Sequence, residues 1–439
     1  MRHMLSRTFL AIAVSTLAVG QTAAEPLKEV IQKTLGSSPE VATTANERDS
    51  RVYEVDQARA GYYPTVDFAA GIGQEWTTTA ATGNSEVHLT RRETSLSLRQ
   101  MLFDSYATPS EVERQKARVN SAAHTVMGTA QDIALQTTNV YLELLKQQQL
   151  LSMAESNLAI HKKIYEQIKR RADSGVANMA DLKQIEGRLA LAESNVIAGE
   201  NNVREARANY IRVTGEQPGD IIFPPTLEGK LPANIEEALQ RALANHPTLA
   251  SANADIDAAK AQHAAARHND YPRLHFEVDK TLNENIDGIR GDSEDLTAML
   301  RLRWNLYNGG RDKARRKQTA ELIEEAKSIR NRTHRQVEQT LRLAWAAHTS
   351  TVRQREFLRK HMESVSAARD VYTRQFNIGQ RSLLDLLDTE NEVFEARRAY
   401  LDADYANLFA QYRIFNAMGS LLQQLEVEPP TQTAKYQER

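Results

Sequence analysis

Two acidic side chains, Asp385 and Asp388, are the strongest candidates for chemistry in this chain of 439 residues. They stand three residues apart in a helix-forming segment, Tyr372–Asp388 (YTRQFNIGQRSLLDLLD), so their carboxylates share one helix face. Several copies around a common axis would form an acidic ring, which attracts cations. A plainer interpretation stays open, because Asp385 lies three residues after Ser382 and could simply complete the cap of a helix.

Other kinds of reactive site are missing from the sequence. There is no cysteine, which excludes thiolate metal sites, a cysteine nucleophile and lipid attachment after an export signal. His246, His263 and His268 have no further ligand residues at useful spacing, and we interpret them as surface residues. No glycine-rich phosphate loop, nucleophile elbow or HExxH motif occurs. We therefore expect no enzymatic activity, no cofactor and no resident metal.

The two aspartates lie just beyond the tip of a predicted helical hairpin. Gly379 ends the preceding helix, since glycine adopts the left-handed conformation freely, and Ser382 begins the next one. The first half of the chain repeats this pattern, with Gly175 as the stop and Asn178 as the restart, followed by Asp181. The predicted helices span about 105–172, 179–214, 309–376 and 383–422. The longer helix of each pair measures roughly 100 Å at about 1.5 Å per residue.

The hairpins belong to an internal duplication that covers most of the chain. Tyr271 and Pro272 lie 208 residues after Tyr63 and Pro64, whereas Gly379 lies 204 residues after its counterpart. The change of offset places a loop of variable length between the two regions. The predicted organisation is a first repeat at 25–215, a connector rich in proline and glycine at 216–233, a second repeat at 234–428 and a polar tail at 429–439.

Each repeat also contains two stretches in which apolar and polar residues alternate. The predicted strands are at about 64–76, 94–103, 273–283 and 295–307. Runs of about ten residues with this alternation are typical of outer-membrane barrel strands, although a half-buried strand of a soluble sheet would show the same pattern. The inward positions of a barrel would carry Arg99, Arg301, Arg303 and Asp67, which favours a water-filled interior.

Four strands from one chain cannot close a barrel in a membrane. The smallest outer-membrane barrels have eight strands, and an open edge in lipid would leave backbone groups unpaired. The strands must therefore come from several chains. Two chains would supply eight strands around a filled interior, and three would supply twelve strands with room for a lumen.

Residues 1–24 have the features of an export signal. A basic start with Arg2 and Arg7 precedes an apolar stretch, Phe9–Gly20, and small residues before Glu25. The apolar stretch is too short for a membrane anchor. Removal of residues 1–24 would leave 53 basic against 57 acidic residues, since this segment holds two of the 55 basic residues and no acidic ones. The resulting net negative charge argues against a nucleic acid partner.

The signal, the duplicated unit and above all residues 378–421 (IGQRSLLDLLDTENEVFEARRAYLDADYANLFAQYRIFNAMGSL) resemble the TolC family of outer-membrane channel-tunnels. The resemblance covers essentially the whole chain after residue 24. It implies a mixed α+β membrane protein built as a homotrimer, with a twelve-stranded outer-membrane β-barrel continued by a periplasmic α-helical coiled-coil barrel. Residues 25–41 and 49–68 are most similar to the agglutination-protein branch of the family, which serves type I secretion of large adhesins.

The resemblance also implies roles for residues at the hairpin tips. Asp385 and Asp388 match the aspartate rings that narrow the periplasmic entrance, where cations could block the channel. Arg381 and Phe376 match the links that hold the entrance shut, with phenylalanine in place of the family's usual tyrosine and hence without its hydroxyl. Asp181 matches the acidic partner on the other hairpin.

We therefore expect a passive exit duct in the lipid of the outer membrane. It would export a protein through a tripartite type I system, with a periplasmic adaptor and an inner-membrane ABC transporter as partners. The alternative is small-molecule efflux with a proton-driven pump; the missing acylation cysteine favours secretion, because many pump channels of this family are lipidated. A periplasmic coiled-coil adaptor is a different class of function, but adaptors have one hairpin and no need of four alternating strands.

Overall fold

The computed structural model describes residues 25–174 and 178–438. The predicted signal at 1–24 and the predicted helix stop at Gly175 lie outside the described residues. The first half contains α1 (Leu27–Ser37), α2 (Pro39–Arg59), β1 (Thr65–Thr77), β2 (Val87–Phe103), α3 (Ala107–Asp173) and α4 (Met179–Thr214). The second half contains α5 (Ile235–Asn245), α6 (Pro247–Arg267), β3 (Arg273–Glu284), β4 (Asp292–Arg303), α7 (Arg311–Asn377), α8 (Leu383–Ala417) and the short α9 (Leu421–Gln424).

The four strands form one antiparallel sheet in the order β1-β2-β3-β4. A single row of apolar residues crosses it, because Val66 pairs with Leu98, Leu98 with Val278, and Val278 with Ala298. Large side chains on this face stay exposed in the single chain, with Ile72 at 73% of its accessible surface. Burial of such a face requires lipid or another chain, since water would be an unfavourable environment for it.

Two strand boundaries in the structure differ clearly from those predicted. β2 begins at Val87 and not near residue 94, because the charged residues at its start pair across the sheet, as Arg91 does with Glu75 at 2.8 Å. β4 ends at Arg303 and not near residue 307. Arg303 pairs with Arg273, and the residue before Arg273 is a proline, which has no N–H to continue the ladder.

Two helices of 67 residues each, α3 and α7, dominate the molecule. Each packs against the returning helix of its own hairpin, and both contact α6. α8 ends at Ala417 and not near residue 422, because Gly419 turns the chain with a φ of 71°. A Cβ at Gly419 would lie 2.6 Å from Pro247, so glycine is needed there. No helix in the described ranges is long and apolar enough to cross a membrane.

The largest hydrophobic cluster lies where the short helices surround the long ones. It includes the fully buried Ile31, Tyr141, Leu341 and Tyr412. The hydroxyl of Tyr412 donates to the carbonyl of Pro225 at 2.8 Å, so the core also holds the connector between the repeats. A second, smaller cluster lies at the far end of the hairpins and packs their tips together.

The C-terminal segment, predicted as a polar tail, docks along α2 and α3. The backbone N–H of Tyr436 donates to Asn120 at 2.8 Å, and the ring of Tyr436 lies against Arg59. Glu438 forms an ion pair with Lys116 at 2.8 Å. The tail therefore contributes contacts to the helical body and does not simply extend into solvent.

Candidate functional site

The tip of the second hairpin is the place where the sequence predicts a gate. Gly379 has a φ of 79° and ends the turn after α7, and Ser382 then begins α8. The Ser382 hydroxyl accepts a hydrogen bond from the N–H of Asp385 at 3.1 Å, and the Asp385 carboxylate accepts from the N–H of Ser382 at 3.4 Å. This is a complete capping box, which satisfies two N–H groups that the helix leaves without partners.

Asp385 thus has the capping role that the sequence left open as an alternative. The hydrogen bond from Ser382 lowers the pKa of Asp385 below its usual value, and Arg381 adds to the effect from 3.7 Å. The carboxylate is still partly exposed. A cap and a contribution to an acidic ring are compatible, because a carboxylate can accept several hydrogen bonds.

Asp388 is held by a different partner, on the other hairpin. Arg188 of α4 reaches it with an Nη2–Oδ1 distance of 2.7 Å. The two residues are 200 positions apart, so no local pattern of the sequence predicts the pair. This contact joins the returning helices α4 and α8 and was not predicted from the sequence. The four residues Asp385, Asp388, Arg188 and Arg381 carry no net charge at neutral pH.

Arg381 and Phe376, predicted together as a link, occupy different environments. Arg381 lies over the ring of Tyr372 at 4.2 Å, and its Nε donates to Gln375 at 3.1 Å. Phe376 is buried in the cluster that packs the hairpin tips, where Arg171 covers its ring at 5.4 Å. Within one chain Arg381 therefore uses Tyr372 as its aromatic partner, and Phe376 acts as a core residue.

Asp181 lies in the first turn of α4, at the tip of the first hairpin. The side chain of Asn178 caps this helix by accepting from the N–H of Ala180 at 3.1 Å. The carboxylate of Asp181 has no hydrogen-bond or ion-pair partner within residues 25–174 and 178–438. An acid in a first turn is favourable to the helix dipole, and this one is also available to a neighbouring chain.

A second ion pair of the hairpin also escaped sequence analysis. Arg369 of α7 contacts Glu390 of α8 at 3.4 Å, and the Glu390 side chain is only 6% exposed. The pair crosses the hairpin two turns from the capping box. In the described part of the chain, no group of three or more histidine, aspartate or glutamate side chains is arranged to hold a metal ion.

The two structural repeats match a known protein family. The family model described as "Outer membrane efflux protein" matches residues 30–216 and 238–420, which are the two structural repeats. The chain belongs to the outer membrane efflux protein family. The resemblance to the TolC family is thereby confirmed, and with it an outer-membrane location with a periplasmic helical tunnel. Proteins of this family are passive ducts, so the chain is not an enzyme.

Individual relatives agree with this assignment. The outer membrane efflux protein BepC of Brucella suis is 25% identical over 331 residues, which cover 74% of this chain and 72% of the relative. The proteases secretion protein PrtF of Dickeya chrysanthemi is 23% identical over 439 residues, which cover 96% of this chain and 94% of the relative. A crystal structure of CusC superposes with a TM-score of 0.77 at 16% identity over 91% of this chain and 93% of that one. The fold is therefore that of the efflux channels, a helical tunnel plus a barrel.

Proposed function

We propose that this efflux-family channel is the outer-membrane duct of a tripartite type I secretion system and exports a protein, in particular a large adhesin. Three copies would close a twelve-stranded barrel, since one chain supplies only four strands. The partners would be a periplasmic adaptor and an inner-membrane ABC transporter. The observation that supports secretion most directly is the match to a protease secretion protein over 96% of this chain.

The hairpin tips would form the gate of this duct. Asp385 and Asp388 lie at the end of the hairpin farthest from the sheet, as expected for a periplasmic entrance. Three copies would bring six carboxylates around the axis, each with an arginine partner in its own chain. Opening would require these contacts to rearrange, and a multivalent cation would compete with the arginines for the carboxylates. Asp181, which is half-buried on the first hairpin and has no partner in the described part of its own chain, would contact the neighbouring chain.

The second candidate is small-molecule efflux with a proton-driven pump. It is favoured by the relatives, because BepC is described as an efflux protein and CusC of Escherichia coli, 24% identical over 412 residues, as a cation efflux system protein. The two candidates share the duct and differ in its cargo and its inner-membrane partner.

Deletion of the gene and complementation with the full chain would separate the candidates. For secretion we expect one or a few large proteins to disappear from the culture medium and to return with the wild-type chain, with unchanged resistance to drugs and metal ions. Efflux would give the opposite result, with an unchanged set of secreted proteins and lower inhibitory concentrations. Mass spectrometry of the medium and growth inhibition assays read out both.

A further inference from the structure

The polar face of the sheet carries a cluster of arginines that the gate does not use. Arg99 lies on β2, Glu277 on β3, and Arg301 and Arg303 on β4, so three neighbouring strands contribute. We call these four residues the basic collar. β4 ends at Arg303 and α7 follows, which places the collar at the junction of the sheet with the long helices.

One carboxylate lies at the centre of the basic collar. Its oxygens are 2.5 Å from Arg301 Nε, 3.2 Å from Arg99 Nε and 3.4 Å from Arg303 Nη2. The side chain of Glu277 is 6% exposed, whereas the three arginine side chains are 40–59% exposed. Three guanidinium groups carry far more N–H donors than one carboxylate can accept. The collar is thus cationic and has donors left over for a further anion.

The positive charge continues into the cavity beside the collar. This open cavity of about 1200 Å³ is lined by Arg273, Arg303, Arg311 and Arg315, with Asp312 as the one acid among its described lining residues. His275 also lines it, and the Nδ1 of His275 is buried with no hydrogen-bond partner in the described ranges. The surface that adjoins the collar is therefore suited to carboxylate or phosphate oxygens, and unsuited to cations.

The basic collar lies on the face of the sheet opposite the apolar row, the face that would line a closed barrel. The opposite face of the same sheet carries the exposed row of large apolar side chains, which suits lipid. The loop between β3 and β4 supports this orientation, because it folds back across the polar face to reach β1. There the N–H of Gly288 donates to Glu75 at 2.8 Å, and Asp287 lies 3.5 Å from Arg91. A face that is partly covered by a charged loop in this way is unsuited to lipid, and the collar would therefore face the interior of a closed barrel.

We propose that the basic collar is an anion-binding site of the duct wall that takes acidic side chains of a polypeptide in transit. This inference rests on the proposed function in protein export. Guanidinium groups recognise carboxylates with two parallel hydrogen bonds, which a point charge cannot provide. In a water-filled duct each contact is weak and screened by salt, so a chain with several acidic residues is held by repeated contacts and still passes. A phospholipid headgroup is disfavoured because the collar lies on the face away from lipid.

The test measures binding of fluorescein-labelled decaglutamate to the detergent-purified full chain by fluorescence anisotropy, at about 50 mM and at about 500 mM salt. We expect Arg301→Gln with Arg303→Gln to weaken binding about tenfold at low salt, because the collar loses two of its three positive charges. Glu277→Gln should act in the opposite direction and strengthen binding, since it removes the competing carboxylate. Gel mobility without heating checks that the variants remain assembled.

Arg92→Gln is the matched control. Arg92 lies on the same strand as Arg99 but on the other face, where it pairs with Glu284 at 2.8 Å, so its loss should leave peptide binding unchanged. The proposal is wrong if the double variant binds decaglutamate as tightly as the wild type, or if decalysine binds equally well. Displacement of the peptide by inorganic phosphate at the same concentration would also contradict the proposal, because the site would then bind small anions as tightly as an acidic polypeptide. Failure of the wild-type chain to restore secretion would count against the proposed function instead.

Discussion

Among single residues, the two aspartates of the hairpin tip differ in what they can offer a cation. Asp388 is engaged by Arg188 across the hairpins, whereas Asp385 serves its own helix as a cap. We expect Asp385→Ala with Asp388→Ala to weaken block by Mg²⁺ added at the helical end, and Arg188→Gln to strengthen it, because the latter frees a carboxylate. Conductance of single channels in planar bilayers measures both effects.

Lys183→Gln provides a control for the arginine variant. Lys183 lies on the same helix as Arg188 and pairs with Glu186, three residues further along the chain. Its substitution therefore removes one positive charge from this helix and leaves the partner of Asp388 in place. Equal block in the wild type, the double alanine variant and Arg188→Gln would show that the carboxylates act as structural groups alone. The assignment of the gate to these residues would then be wrong.

The capping box also predicts how the tip responds to pH. The hydrogen bond that the Asp385 carboxylate accepts from Ser382 lowers the pKa of Asp385 in the folded protein. The carboxylate therefore stabilises the folded tip fully above the ordinary aspartate pKa of about 4, and this contribution is lost as the pH falls through the lowered value. We expect resting conductance to stay constant from about pH 8 to about pH 5 and to rise only in stronger acid. In Asp385→Asn this acid-induced rise should disappear, and a rise near neutral pH in the wild type would contradict the prediction.

On the level of elements, the buried pair of Arg369 and Glu390 fixes the register of α7 against α8. Arg369→Met leaves a carboxylate that is 6% exposed without its cation, which is expected to cost about 3 kcal/mol. Replacing both partners, with Arg369→Met and Glu390→Leu, should recover most of the loss because no charge remains buried. Samples incubated at increasing temperatures before electrophoresis give the temperature at which the assembly dissociates, and this temperature reports both changes.

A surface pair on the same helix sets the scale for that comparison. Arg359 contacts Glu363 at 3.0 Å, and both side chains are about half exposed. Arg359→Met should therefore change stability by less than about 0.5 kcal/mol. If Arg369→Met has an equally small effect, water reaches Glu390 and the pair does not hold the register.

Local features of the sequence predicted well, and contacts between distant segments did not. The capping box of Ser382 and Asp385 depends on a spacing of three, and the strands depend on a period of two, so both are visible in the sequence. The start of β2 was missed because Arg91 looks like a loop residue in the sequence. Its partner Glu75 lies on the neighbouring strand β1, and the pairing is visible only in the structure. The pair of Arg188 and Asp388 was missed for the same reason, since it depends on how the two repeats pack.

For the whole molecule, the decisive property is that the sheet has one face for lipid and one for water. Ile72 lies on the apolar face and is 73% exposed in the single chain, whereas Gly71 lies on the polar face with its Cβ position 4.0 Å from Glu93. An arginine that faces lipid costs up to about 2–4 kcal/mol. At Ile72 it would also lie directly opposite Arg92 on the neighbouring strand, which adds repulsion between like charges. We expect Ile72→Arg to reduce the amount of assembled channel in the outer membrane strongly.

Gly71→Arg is the matched variant, because it adds the same side chain one position away, toward the interior, where Glu93 can pair with it. It should assemble like the wild type and reduce cation conductance through the barrel by narrowing it and adding positive charge. Assembly is measured by membrane fractionation and gel mobility without heating. The reverse order, with Gly71→Arg failing to assemble and Ile72→Arg tolerated, would mean that the polar face meets lipid. The barrel and the basic collar would then both have to be abandoned, because a collar on the outside cannot meet a polypeptide inside the duct.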